Sequence, residues 1–151
     1  MRVAAAFDHR GVKLREVVLE AIAAKGHEPV DLGVATDDVR VDYPDTASDV
    51  GAAIAEGRAE RGVLVCGSGV GASIAACKLH GIRAAICHDT YSAHQGVEHD
   101  DMNVLCLGSE VVGASLAAEL VRAFLGARFV AEGRYLARLE MVRALEAEGH
   151  G

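Results

Sequence analysis

The stretch Gly62-Val63-Leu64-Val65-Cys66-Gly67-Ser68-Gly69-Val70-Gly71-Ala72 sets an apolar run against a glycine-rich turn and an alanine-rich continuation. A short β-branched run that stops at such a turn and resumes with helix formers reads as strand, tight turn, helix, with the strand over 62–66 and the helix over 70–79. The same alternation recurs outward in both directions. Strands are expected over 3–7, 29–32, 84–87 and 104–107, and helices over 12–25, 46–56, 91–97 and 114–125. In the first of these helices Val12, Leu14, Val17, Val18, Ala21 and Ile22 fall at near-helical spacing, and Gly26 stands where a helix stops. Strands that alternate with amphipathic helices predict an α/β fold around a five-stranded parallel sheet.

Two segments fall outside that alternation. Residues 33–44 form one long irregular connection, a length that marks a functional loop. The charged, Leu- and Arg-containing segment 132–148 follows the last strand and has none left to cross to, so a helical tail packing on a partner subunit is expected. At 151 residues the chain fits a single domain, and a mean hydropathy of +0.21 supplies enough apolar side chains for a core. A net charge of −7 excludes a general nucleic-acid surface but leaves room for a local cluster of cations around an anionic metabolite. Residues 1–7 pass straight into a strand-like run with no leader pattern, and no apolar run approaches the roughly 18 residues of a membrane span, so a soluble, cytoplasmic protein is expected. Cys66, Cys77, Cys87 and Cys106 lie on separate elements without a C-x-x-C pair, which fits reduced thiols better than disulfides or structural zinc.

Ligands of open parallel sheets collect beyond the carboxyl ends of the strands. The residues there are Asp8-His9, Cys66-Gly67-Ser68-Gly69, His88-Asp89 and Gly108. A turn with open backbone amides can receive a phosphate or a developing oxyanion, and a thiol at a helix start gains thiolate character, which suits a base working beside a carbonyl. The plainer reading makes Cys66 a small buried hydrophobe, the class to which Cys77, Cys87 and Cys106 are assigned. Two rival readings stay open. Gly67, Gly69 and Ala72 with Asp89 satisfy a dinucleotide-binding pattern, although it follows the third strand rather than the first. His88, Asp89, His94, His99, Asp100 and Asp101 are metal-compatible side chains at no strong ligand spacing, and no metal is expected.

Several ordered motifs together resemble the type B ribose-5-phosphate isomerase family, which includes galactose-6-phosphate and allose-6-phosphate isomerases. They are Asp8-His9, Asp42-Tyr43-Pro44, the 66–71 turn, Tyr91-Ser92-Ala93, His99 with Asn103-Val104-Leu105, and the late Arg134 and Arg138. The resemblance runs through nearly the whole chain. It implies a Rossmann-like three-layer α/β/α sandwich, aldose-ketose isomerisation of a sugar phosphate without a cofactor, and active sites formed between the subunits of a homodimer or tetramer.

By that resemblance Cys66 moves the proton between C1 and C2, the amides of Gly67, Gly69, Val70 and Gly71 cradle the enediolate, and Ser68 and His99 open the sugar ring. Asp8 binds substrate hydroxyls, Tyr43 lines the pocket, and His9, Arg134 and Arg138 hold the phosphate. The chain departs from the family pattern with Ser68 for Thr, Asp100 for an Asn that would help stabilise the enediolate, Glu110 for the Arg of a G-S-R-V motif, and Val97 for an Arg. Ribose 5-phosphate is the first expected substrate, with allose 6-phosphate, galactose 6-phosphate and tetrose phosphates as alternatives. A noncatalytic subunit and a nucleotide-binding protein are the readings of another class.

Overall fold

A computed structural model describes residues 1–149. Strands β1 (Arg2–Phe7), β2 (Glu28–Asp31), β3 (Arg61–Cys66), β4 (Ala84–Ile86) and β5 (Val104–Gly108) pair in parallel in the order β2-β1-β3-β5-β4. The helices are α1 (Arg15–Ala24), α2 (Tyr43–Ala55), α3 (Val70–Ala76), α4 (Thr90–Asp100), α5 (Ala114–Gly126) and α6 (Gly133–Gly149).

Alternation along β1 decides the two faces of the sheet. Val3, Ala5 and Phe7 point into a core shared with α1, α4 and α5, including Val18, Ile22, Val97, Leu120 and Phe124. Ala4 and Ala6 point the other way, toward Ala47, Val50 and Ala53 of α2 and Ala72 and Ala76 of α3. The small side chains of this second face let α2 lie close to the sheet, and Val50 fills the space where a side chain at Gly62 would stand. The result is the three-layer α/β/α sandwich expected from the sequence.

Four boundaries differ from the expected ones by more than one residue. Helix α2 begins at Tyr43 rather than residue 46, because Pro44 sits in the first turn, where a missing N–H breaks no helical bond. A 3-10 turn, Gly11–Leu14, replaces the start of the expected first helix. Helix α3 stops at Ala76, leaving Cys77 exposed with its thiol donating to the Ala84 carbonyl at 3.2 Å. Cys77 is therefore not the core residue it was expected to be, whereas Cys87 and Cys106 are buried. Helix α4 runs on to Asp100 and ends at Asp101, whose left-handed backbone (φ 51°) turns the chain into β5.

The tail is a helix, as expected. It docks on its own chain through buried Leu139 and through Tyr135, whose ring stacks on His99, while Met141 and Leu145 stay 67% and 68% exposed. At the opposite edge of the sheet, the Glu28 and Leu32 amides donate inward to Met1 and Ala5, so the nitrogen of Pro29 faces outward. Among the described residues no helix is long and apolar enough to cross a membrane.

Candidate active site

The chain leaves β1 toward the α1 face and leaves β3 toward the α2-α3 face, so a crevice opens between the carboxyl ends of these adjacent strands. Register makes the crevice specific. Phe7 is level with Val65 and Cys66 with Gly108, so Asp8, Cys66 and Gly108 end their strands side by side. A cavity of about 270 Å³ lies there, lined by Asp8, His9, Arg10, Arg40, Val41, Asp42, Tyr43, Cys66, Gly67, Ser68 and Gly71.

Asp8 is buried, and one carboxylate oxygen accepts the amides of Arg10 at 2.9 Å and Gly11 at 2.7 Å, which fixes the turn after β1. His9 turns its Nδ1 to the backbone of Val41, 3.2 Å from the carbonyl and 3.3 Å from the amide nitrogen, and so ties the end of the long loop to the site. Tyr43 packs its ring over Gly71, where any side chain would collide with it.

Cys66 lies at the floor of the cavity with its Sγ accepting the Gly69 N–H at 3.2 Å. This amide reaches back because Gly69 adopts φ +82°, a conformation that costs glycine nothing. The Ser68 hydroxyl accepts the Val70 N–H at 3.2 Å. Two of the amides expected to cradle an oxyanion, those of Gly69 and Val70, are thus committed within the turn. Among the described residues the N–H groups of Gly67, Ser68 and Gly71 have no such partner and remain available.

The other expected site residues lie apart from this cavity. His99, in the last turn of α4, pairs its Nδ1 with Gln95 Nε2 at 2.8 Å and stacks on Tyr135 with ring centroids 4.4 Å apart. A depression beside it is lined by Thr90, Tyr91, His94, Gln95, Glu98 and His99. Arg134 lies over the Tyr135 ring at 5.0 Å and donates to its hydroxyl, and Arg138 is exposed one turn further along α6. Asp100 faces a different hollow, with Arg83, Gly96, Met102 and Val142, so it does not share the surface of His99. Within one chain the structure therefore brings together Asp8, His9, Tyr43, Cys66, Gly67, Ser68 and Gly71, and leaves His99, Asp100, Arg134 and Arg138 outside that cavity.

The acid of the dinucleotide pattern serves as a helix cap. The Asp89 carboxylate accepts the Ser92 N–H at 2.7 Å, which caps α4 and holds its pKa below the usual range. The neighbouring His88 has a structural task as well: its Nε2 accepts the Gly108 N–H at 3.0 Å, and burial lowers its pKa while Asp89 pulls it partly back. A histidine with a lowered folded pKa binds its proton more readily when unfolded, so its stabilisation is full above the unfolded value near 6.5 and is lost as pH falls toward the folded value. His27 is shifted the same way by burial and the nearby N-terminus. Stability is expected to fall between about pH 7 and 5, and His88→Gln, which keeps an acceptor for Gly108 but cannot titrate, should show a shallower decline. Urea melts of both proteins across that range check this.

Arg10, Arg40 and Val41 line the cavity but do not stand out in the sequence, and Asp42 was read as part of the Asp42-Tyr43-Pro44 motif without a role of its own. The available signal was adjacency, since Arg10 follows Asp8-His9 and Arg40-Val41 precede that motif.

The family model described as Ribose/Galactose Isomerase matches residues 3–142. The chain is 43% identical over 145 residues to Ribose-5-phosphate isomerase B of Escherichia coli (strain K12), covering 96% of both proteins. It is also 36% identical over 133 residues to D-erythrulose-4-phosphate isomerase of Pectobacterium atrosepticum, covering 88% of both. Among solved structures, the type B ribose 5-phosphate isomerase from Trypanosoma cruzi superposes with a TM-score of 0.94 at 41% identity, over 98% of this chain and 99% of that one. With a match this long and relatives this similar, the chain belongs to the ribose/galactose isomerase family.

Proposed function

We propose that the protein interconverts an aldose phosphate and its ketose, with Cys66 as the proton-transferring base and ribose 5-phosphate as the first substrate to test. The observation that carries this reading is the Cys66 thiol at the floor of the β1-β3 crevice, facing Asp8, His9 and Tyr43 and bordered by open amides. Once the sugar ring is open, the thiolate takes the proton from C2. The C2–H electrons form the C1–C2 double bond, and the carbonyl π electrons move onto O1, giving an enediolate. The N–H groups of Gly67, Ser68 and Gly71 are the donors left to hold that charge. A proton passes from O2 to O1, the O2 electrons form the C2 carbonyl and the C1–C2 π electrons take the first proton back at C1, which completes the ketose with no electrons leaving the substrate. The relatives are named as isomerases of a five-carbon and a four-carbon sugar phosphate, and the choice of sugars to test follows from those names.

The separation of His99, Arg134 and Arg138 from the Cys66 cavity supports a site shared between two subunits of a homodimer or tetramer, with α6 of one chain completing the crevice of another. Exposed Met141 and Leu145 on α6 give such an interface apolar area. The experiment is cofactor-free isomerase assay on ribose 5-phosphate, tetrose phosphates and hexose 6-phosphates, with deuterium exchange at C2. It is paired with mixing of Cys66→Ala and His99→Ala subunits, each inactive alone. Random reassortment of a dimer restores about a quarter of wild-type activity if the two residues come from different chains, and none if they act within one. Absence of turnover and exchange with every sugar would favour a noncatalytic subunit.

A further inference from the structure

We propose that Arg10 binds the phosphate of the substrate, as a cation built into the same chain and the same turn as Asp8 and His9. The assignment rests on the isomerase reading above for the identity of the anion, and on the following geometry for everything else.

The guanidinium of Arg10 lies flat against the start of the Cys66 turn. A side-chain carbon at Gly67 would stand 3.0 Å from its Cζ and Nη1 and 3.1 Å from its Nε, so the bare glycine allows this close approach and a side chain there would push the guanidinium out by a few tenths of an ångström. Its backbone is fixed from both sides. The Arg10 N–H donates to Asp8 at 2.9 Å, and the Arg10 carbonyl accepts the Ser109 hydroxyl at 2.7 Å. The turn thus fixes where the side chain starts, at the wall of the cavity, while the side chain itself is 58% exposed and free to meet a ligand.

Its charge is not used up by the protein. Glu110 is the nearest carboxylate, with Oε1 4.0 Å from Arg10 Nη2, but the same oxygen accepts from Lys13 Nζ at 2.9 Å. Two cations against one carboxylate leave a net positive charge, and Glu110 tethers Arg10 without neutralising it. Among the described residues the Arg10 side chain donates no hydrogen bond, so the planar fork that suits a phosphate remains open. The Asp8 carboxylate in the same cavity has an oxygen engaged by two backbone amides, and Arg40 adds a second cation to offset Asp42.

The test measures inorganic phosphate binding by titration calorimetry and steady-state kinetics on the best sugar phosphate, for wild type, Arg10→Ala and Arg10→Lys. Arg10→Ala should weaken phosphate binding and raise KM by about tenfold or more with kcat changed far less, and Arg10→Lys should recover part of the loss, since it keeps the charge without the fork. Unchanged phosphate affinity and KM in Arg10→Ala overturn the assignment and leave the isomerase reading intact. A fall in kcat alone overturns it too, because that would place Arg10 in holding the Asp8 turn. If no sugar phosphate is turned over but phosphate binding disappears with Arg10, the isomerase reading fails and the anion site stands. Wild-type protein that does not bind phosphate at all refutes the proposal.

Discussion

Replacing Cys66 with alanine is expected to cut isomerase turnover by about a thousandfold or more while the protein stays folded, since a positioned general base contributes on that order. No other thiol can stand in. Burial pushes Cys87 up to about 11 and raises Cys106 further still, and Cys77 lies outside the cavity lining. The substitution removes one sulfur from the packing against α2 and α3, a loss of about 1 kcal/mol by comparison with other small core truncations. A melting temperature within a few degrees of wild type would accompany the loss. Deuterium exchange at C2 separates the roles. If the variant no longer exchanges, Cys66 moves the proton; if exchange persists at the wild-type rate, the base lies elsewhere and Cys66 is only the floor of the pocket.

A second large effect is expected at Gly11, and it acts on the fold before it acts on the site. A methyl group here would fall on the Val65 carbonyl, 2.6 Å from its carbon and 3.1 Å from the Val65 Cβ. Neither neighbour can yield, because Val65 is in the middle strand of the sheet and its carbonyl accepts the Asp8 amide at 3.2 Å. Overpacking against immobile backbone costs about 3 kcal/mol. For a chain of this size that corresponds to a fall in Tm of roughly 6–12 °C. Because the Gly11 amide also holds the Asp8 carboxylate, Gly11→Ala should lose activity out of proportion to its remaining folded fraction. Calorimetry and activity measured at a temperature where the variant is still folded check both parts.

The sheet was legible in the sequence because each strand is a short apolar run bounded by polar or glycine turns, and such runs have few other places to go. The Cys66 turn was legible for the same reason, since strand, thiol and glycines are contiguous. What could not be read was anything set by approach between distant segments. Nothing in the local sequence says that Arg10 lies over Gly67, or that Gly69 folds back to donate to the Cys66 sulfur and so withdraws its amide from any oxyanion. The start of α2 was missed because Pro44 reads as a breaker until it is seen to occupy a first turn. Cys77 was misassigned because its neighbours have helical spacing, while the helix ends one residue before it. Asp100 sits beside His99 in sequence but about 100° around the helix, and its surroundings are those of a different hollow.

The outward-facing nitrogen of Pro29 bears on how the protein behaves in a crowded solution. An incoming strand that tried to extend the sheet beyond β2 would meet a position with no proton to share, next to the exposed Glu28. The opposite edge offers only the three residues of β4. A parallel sheet forms slowly and exposes its edges while it does so, and at this edge the covalent chemistry of a single ring works against edge-to-edge aggregation.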